Sequence, residues 1–284
     1  MNNFNNLSEK VLIANPKLSV QRLTVEKEII HQDILRIMNN EGFLEKLTFM
    51  GGTCLRLCYN FARLSEDLDF SSQKAFKDSE IELLEKAIKN SLRKKYGTDI
   101  EISKPEKNTD TDTWIIKVTT HPEQKNIPSQ KVHIDICHYP AYEREVRRVN
   151  DIYGINTNQA QLFIYAESLK EILADKLIAL ALRNRIKNRD IWDIMSINEK
   201  NIGIDKDLIK SKLNDRRISI PDFSTRLNNR LNELKNGFPA DFTKELERFI
   251  PTDIYEKSIL SKGIGLNAFT VILEDYLHNF LPTT

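Results

Sequence analysis

The chain is poor in cysteine. It has three in 284 residues, an odd number, and none stands in a C-x-x-C pair. That argues against a disulfide framework and for a reducing compartment. Cys54 and Cys58 lie one helical turn apart and read as small apolar filler; the other reading makes them metal ligands shared with a histidine. No apolar run approaches the roughly 20 residues that a membrane helix needs, and the Asn-rich start lacks a signal-peptide pattern. The expectation is a soluble, cytoplasmic protein with no membrane partner. Neither sign of charge dominates: 42 Lys and Arg stand against 41 Asp and Glu, a net charge of +1. Any basic surface must therefore be local. The 40% hydrophobic content is enough for a core in one large domain or two modest ones.

One stretch carries chemistry. Leu47–Met50 reads as a short buried strand that ends on Gly51-Gly52, and a helix follows over Thr53–Phe61 with Leu55, Cys58, Tyr59 and Ala62 at helical spacing. Glycine allows backbone conformations closed to other residues and lets a ligand approach the main chain. A helix amino terminus behind such a turn presents free N–H groups and partial positive charge, so Gly51, Gly52 and Thr53 can cradle phosphate. About fifteen residues on, Asp67-Leu68-Asp69-Phe70 alternates with period two. A strand points Asp67 and Asp69 to one face, Leu68 and Phe70 to the other. Two carboxylates about 4 Å apart repel by roughly 1 kcal/mol in water and about 4 at an effective dielectric near 20. Such a pair calls for a proton, a basic side chain or a cation. Mg²⁺, with Mn²⁺ as an alternative, takes one or two carboxylates and completes its shell with substrate oxygens and water. Phosphate cradle plus carboxylate pair points to metal-dependent phosphoryl or nucleotidyl transfer.

The remaining segments supply the surroundings. Residues 1–20 read as polar and irregular. A helix begins near Thr24, with Ile29, Ile30, Ile34, Ile37 and Met38 on one face, and another spans Asp78–Tyr96. Strand-like runs follow at Asp99–Ser103, Trp114–Thr119 and Lys131–Cys137, with loops at 104–112 and 120–130. In the last run Val132, Ile134 and Ile136 share one face; His133, Asp135 and Cys137 share the other. Asp135 is either an edge-strand carboxylate facing water or a third acid beside Asp67 and Asp69. His133 reads as structural. Tyr142–Asp151 holds Arg144, Arg147 and Arg148 as a strand or loop with a basic rim. A composition shift near 156–166 marks a boundary. Beyond it the chain reads helical, with Ser168 as a cap and Glu171 three residues on. Lys176 falls inside the apolar stripe of its helix; it either snorkels to water or reaches a phosphate as a point charge. Arg183–Arg189 is basic, and Asp190 and Asp193 follow one turn apart. Further helices are expected near 205–214, 222–236, 241–249 and 266–280.

Apolar-Gly-Gly-Thr, then Arg63, then Ser65-Glu66-Asp67-Leu68-Asp69-Phe70, resembles the AbiEii/AbiGii-type abortive-infection nucleotidyltransferase toxins, within the DNA polymerase β-like superfamily. Ala174-Asp175-Lys176-Leu177, Arg183 and Arg189-Asp190 with Asp193 resemble that family's downstream motifs. The Gly pair and the first Asp stand slightly further apart than in the wider superfamily, as is common in this toxin branch.

The resemblance implies an α/β (α+β) fold: a nucleotidyltransferase lobe with a small mixed sheet over residues 1–165, a helical carboxy-terminal lobe over 166–284, and a site in the cleft between them. It implies nucleotidyl transfer from a nucleoside triphosphate, with Asp67, Asp69 and Asp135 as the metal set and Asp135 also a candidate base. Gly51, Gly52, Thr53, Arg63, Ser65 and Lys176 contact the nucleotide. Asp190 is the acidic partner across the cleft, and Asp193 holds a neighbouring basic group. It further implies an RNA acceptor, best assigned to the 3′ end of tRNA, a cognate antitoxin, and phage defence. Two other readings stand beside it: an NTP-binding regulatory protein that transfers nothing to RNA, and transfer to a protein or small-molecule hydroxyl.

Overall fold

The computed structural model describes residues 3–72, 74, 76–105, 110–123, 129–155, 160–262 and 264–278. The expected loops at 104–112 and 120–130, and the boundary segment at 156–166, fall partly outside them. Two compact units divide the chain, Met1–Glu167 and Ser168–Thr284.

The first unit opens with helices α1 (Asn3–Ala14) and α2 (Arg22–Asn40), then strand β1 (Thr48–Met50), helix α3 (Gly51–Cys58), β2 (Asp67–Ser71) and α4 (Asp78–Tyr96). Strands β3 (Ile100–Ser103), β4 (Thr111–Val118), β5 (Gln130–Cys137), β6 (Arg144–Arg148) and β7 (Phe163–Glu167) complete it. They form one seven-stranded mixed sheet in the order β3-β4-β5-β2-β1-β7-β6. β2 runs parallel to β5 and antiparallel to β1, and β1 runs parallel to β7.

Alternation decides the two faces of this sheet. Leu68, Phe70, Trp114, Ile116, Val132, Ile134 and Ile136 are all buried, and α2 packs against β5 on the core side. Asp67, Asp69, His133 and Asp135 are displaced by one residue and take the opposite face. α2 is unusual in burying six polar side chains, Thr24, Glu26, Glu28, His31, Gln32 and Asp33. Glu26 accepts from Gln130 Nε2 at 2.9 Å, and Asp33 binds Lys95 Nζ at 2.5 Å. Helix and sheet are thus tied by polar contacts as well as by apolar burial.

Two expectations change. The segment expected to be irregular, residues 1–20, contains a regular helix at Asn3–Ala14, because Phe4, Val11 and Leu12 give that Asn-rich stretch a buried face. Phe4 meets the ring of Tyr96 edge-on at 4.9 Å. Residues 163–166, the end of the 156–166 span read as a boundary, belong to the inner strand β7, with Ile164 and Ala166 buried.

The second unit is helical: α5 (Leu169–Leu182), α6 (Asn188–Asn198), α7 (Lys206–Asp215), α8 (Ile220–Lys235), α9 (Phe242–Glu247), α10 (Thr252–Lys257) and α11 (Gly265–His278). The Ser168 hydroxyl caps α5 by accepting from the Glu171 N–H at 3.1 Å, as expected. No described helix is long and apolar enough to cross a membrane.

Candidate active site

Gly51 opens α3 with φ +74°, in the left-handed region that favours glycine. A Cβ there would meet the Asp69 carboxylate, while a Cβ on Gly52 would meet the Arg63 guanidinium and the Ser65 hydroxyl. The paired glycines therefore make room for the acid of β2 and for the turn before it. Thr53 is fully buried, and its hydroxyl donates to the Asp67 carbonyl. It ties α3 to β2, rather than pointing outward as expected for a phosphate contact.

Register brings the acids together. Asp69 pairs with Asp135 across β2 and β5, and Asp67 pairs with His133. Asp135 is thus on the inner strand next to Asp67 and Asp69, not on an edge. His133 Nδ1 lies 3.0 Å from Asp67 Oδ1, and Thr113 donates to Asp135 Oδ1 at 2.6 Å. Sequence reasoning classed His133 as structural and gave no role to Thr113; both turn a carboxylate of the cluster. Among the described residues, no three His, Cys, Asp or Glu side chains come together closely enough to hold a metal. Asp67 and Asp135 are each held by a neighbouring side chain, His133 and Thr113. The donor set itself, carboxylate oxygens on one half-exposed sheet face, is of the kind a hard divalent cation takes. Cys54 and Cys58 are buried, and burial pushes the Cys54 thiol well up, with the contact to Cys58 adding to it, so they serve as filler.

A buried layer that sequence reasoning missed supports the turn. Glu28 has a fully buried side chain; it accepts from Ser65 N at 3.0 Å, Arg56 Nε at 3.3 Å and the Tyr153 hydroxyl. His31 Nε2 lies 3.0 Å from the Glu66 carbonyl, and burial lowers its pKa to about 4. Arg63 is buried and donates to its neighbour's carbonyl, Leu64 O, at 2.9 Å. The signal was present: a Glu and a His beside Ile29 and Ile30 fall within the apolar part of α2, where charge needs a partner.

In the helical unit, α5 carries two opposed networks. Lys176 Nζ lies 2.7 Å from both Asp190 and Asp193 on α6, and Arg183 also binds Asp190. Lys176 therefore meets buried carboxylates rather than snorkelling to water. Burial pushes the Asp190 carboxyl upward, but Lys176 and Arg183 outweigh it and hold it below the ordinary carboxylate range. The adjacent Asp175 turns the other way. With Glu171 it binds Lys212, itself almost fully buried, at 2.7 and 2.8 Å.

The family model for the nucleotidyl transferase AbiEii toxin of type IV toxin–antitoxin systems matches residues 33–263. Among solved structures, MenT4, a nucleotidyltransferase toxin of Mycobacterium tuberculosis H37Rv, superposes with a TM-score of 0.57 at 15% identity, covering 98% of this chain and 90% of that one. A candidate nucleotidyltransferase from H. pylori superposes with a TM-score of 0.50 at 17% identity, covering 90% and 94%. At these identities the likeness shows the shared fold. No curated protein matches significantly.

Proposed function

This chain belongs to the AbiEii nucleotidyltransferase toxin family, and we propose that its β2–β5 carboxylates transfer a nucleotide from a nucleoside triphosphate to an RNA hydroxyl. The family is one of type IV toxin–antitoxin systems, which implies a nucleotide substrate and an antitoxin partner. The observation that carries the proposal is the register that sets Asp135 opposite Asp69, two residues from Asp67, beside the Gly51 turn.

In this reading Asp67, Asp69 and Asp135 hold a divalent cation, for which Mg²⁺ is the assignment. When bound, it neutralises phosphate charge and favours in-line displacement. The chain's own groups do the rest. The N–H groups at the start of α3, with the Arg63 guanidinium beside Gly52, receive the triphosphate. Ser65, held by Glu28, keeps the turn in place. Asp135 takes the proton of the attacking hydroxyl, whose oxygen bonds to the α-phosphorus as the bond to pyrophosphate breaks. His133 and Thr113 position Asp67 and Asp135. Lys176, held by Asp190 and Asp193 in the helical unit, is assigned a phosphate contact as a point charge. The acceptor is assigned to RNA, with the 3′ end of tRNA first, and the setting to the cytoplasm and phage defence.

Incubating the protein with total bacterial RNA, Mg²⁺ and each α-labelled nucleoside triphosphate tests this. Label should appear on a tRNA-sized band and vanish in the Asp67→Ala/Asp69→Ala double variant. Label on protein or on a small acceptor would replace RNA as the substrate. Nucleotide binding with no labelled product would leave a regulatory binding protein.

A further inference from the structure

We propose that the outer face of the β6–β7 ribbon is a stacking platform for single-stranded RNA, with Arg144 linking it to a basic pocket at the start of α4. β6 is an edge strand. Pairing sets Val146 opposite Tyr165 and Arg148 opposite Phe163, with Arg144 next along the same face. That face is open: Val146 is 64% exposed, Phe163 53% and Tyr165 40%. Single exposed apolar residues are ordinary, but two aromatics and a valine side by side on two strands mark a contact surface.

The charges select the occupant. Arg144 and Arg148 interleave with the aromatics, and the Arg144 guanidinium already lies 4.0 Å over the Tyr165 ring. Bases stack on aromatic rings and on guanidinium planes, while arginines meet the backbone phosphates. Arg144 also lines a pocket of about 460 Å³ together with Lys46, Lys74 and Lys77. Four cations stand there against one carboxylate, Glu80, and Ser72 and Thr48 add hydroxyls. A polynucleotide crossing the aromatic face would thus find phosphate partners at its end. An acidic protein surface would satisfy the arginines but leave the flat rings without a matching plane.

The inference rests on the RNA-acceptor reading and adds its binding surface. The test is fluorescence anisotropy of a labelled single-stranded RNA on the full chain across a salt series, run beside the RNA-labelling assay. Phe163→Ala/Tyr165→Ala should weaken binding by about tenfold or more, given what base–aromatic stacking contributes per base. Arg144→Ala and Arg148→Ala should each reduce the slope of log affinity against log salt by about 0.7. All four positions are at the surface, and unchanged thermal unfolding would confirm that the variants fold. Wild-type affinity in these variants, with RNA still labelled, overturns the platform alone. Loss of antitoxin binding with RNA affinity intact reassigns the face to a protein and overturns it too. If the wild-type chain neither binds nor labels RNA, the acceptor reading falls and the platform falls with it.

Discussion

Asp69 fills the space that a side chain on Gly51 would need, so the glycine is explained by the acid on the neighbouring strand as well as by its own φ of +74°. Gly51→Ala is expected to be severe for two reasons. The left-handed backbone disfavours alanine by about 1–2 kcal/mol. The methyl group also drives the Asp69 carboxylate from its place, and misplacing a reacting group by about 1 Å can lower a rate about 100-fold. Urea denaturation and the labelling rate together check this: a modest loss of stability with a large loss of rate is the expected pattern. His31 makes a separate prediction at this scale. Burial lowers its folded pKa to about 4, from an ordinary value near 6.5. Between those values the unfolded chain binds the proton and the folded chain does not, so stability falls as the pH is lowered. The loss approaches about 3 kcal/mol by pH 4. Denaturant midpoints at pH 7 and pH 4.5 should separate for the wild type and separate less for His31→Gln.

Helix α5 shows how one element serves two opposed networks. Asp175 and Lys176 are adjacent in sequence, yet Asp175 binds Lys212 and Lys176 binds Asp190 and Asp193. Lys176→Met removes the cation from between two buried carboxylates. Breaking a buried pair from one side destabilises by about 3–5 kcal/mol. Because Arg183 still binds Asp190, a loss near the lower end is expected in denaturant titration, and Lys176→Arg should recover much of it. The Asp190 carboxyl is held below its ordinary range, so its contribution is present above the unfolded pKa and is lost only as the pH falls through the depressed folded value. Acid should therefore act on the His31 layer before it acts on this network.

At the scale of the whole molecule, the sheet and its acids were legible because period-two alternation is hard to misread. Asp67-Leu68-Asp69-Phe70 and Lys131–Cys137 told which side chains share a face before any pairing was known. The parallel pairing that sets Asp69 against Asp135 was not legible, since register between distant strands is fixed by the sheet as a whole. β7 was missed because Phe163-Ile164-Tyr165-Ala166 is apolar throughout, so no polar–apolar alternation marks which side chains turn outward. α1 was missed because Asn-rich composition hides a face of three apolar residues. The α2 layer of Glu28 and His31 was missed because its partners, Ser65, Tyr153 and Glu66, are distant in sequence.

The most direct test of the account is the rate of pyrophosphate release from nucleoside triphosphate with bacterial RNA and Mg²⁺, compared among wild type, Asp69→Asn and Asp135→Asn. Both substitutions keep the side-chain shape and remove one charge. Each substitution is expected to lower the rate by about 100-fold or more, with thermal unfolding little changed, on the scale of losing one aligned electrostatic or proton-transfer partner. Wild-type rates in either variant would contradict the assignment of transfer chemistry to the β2–β5 carboxylates.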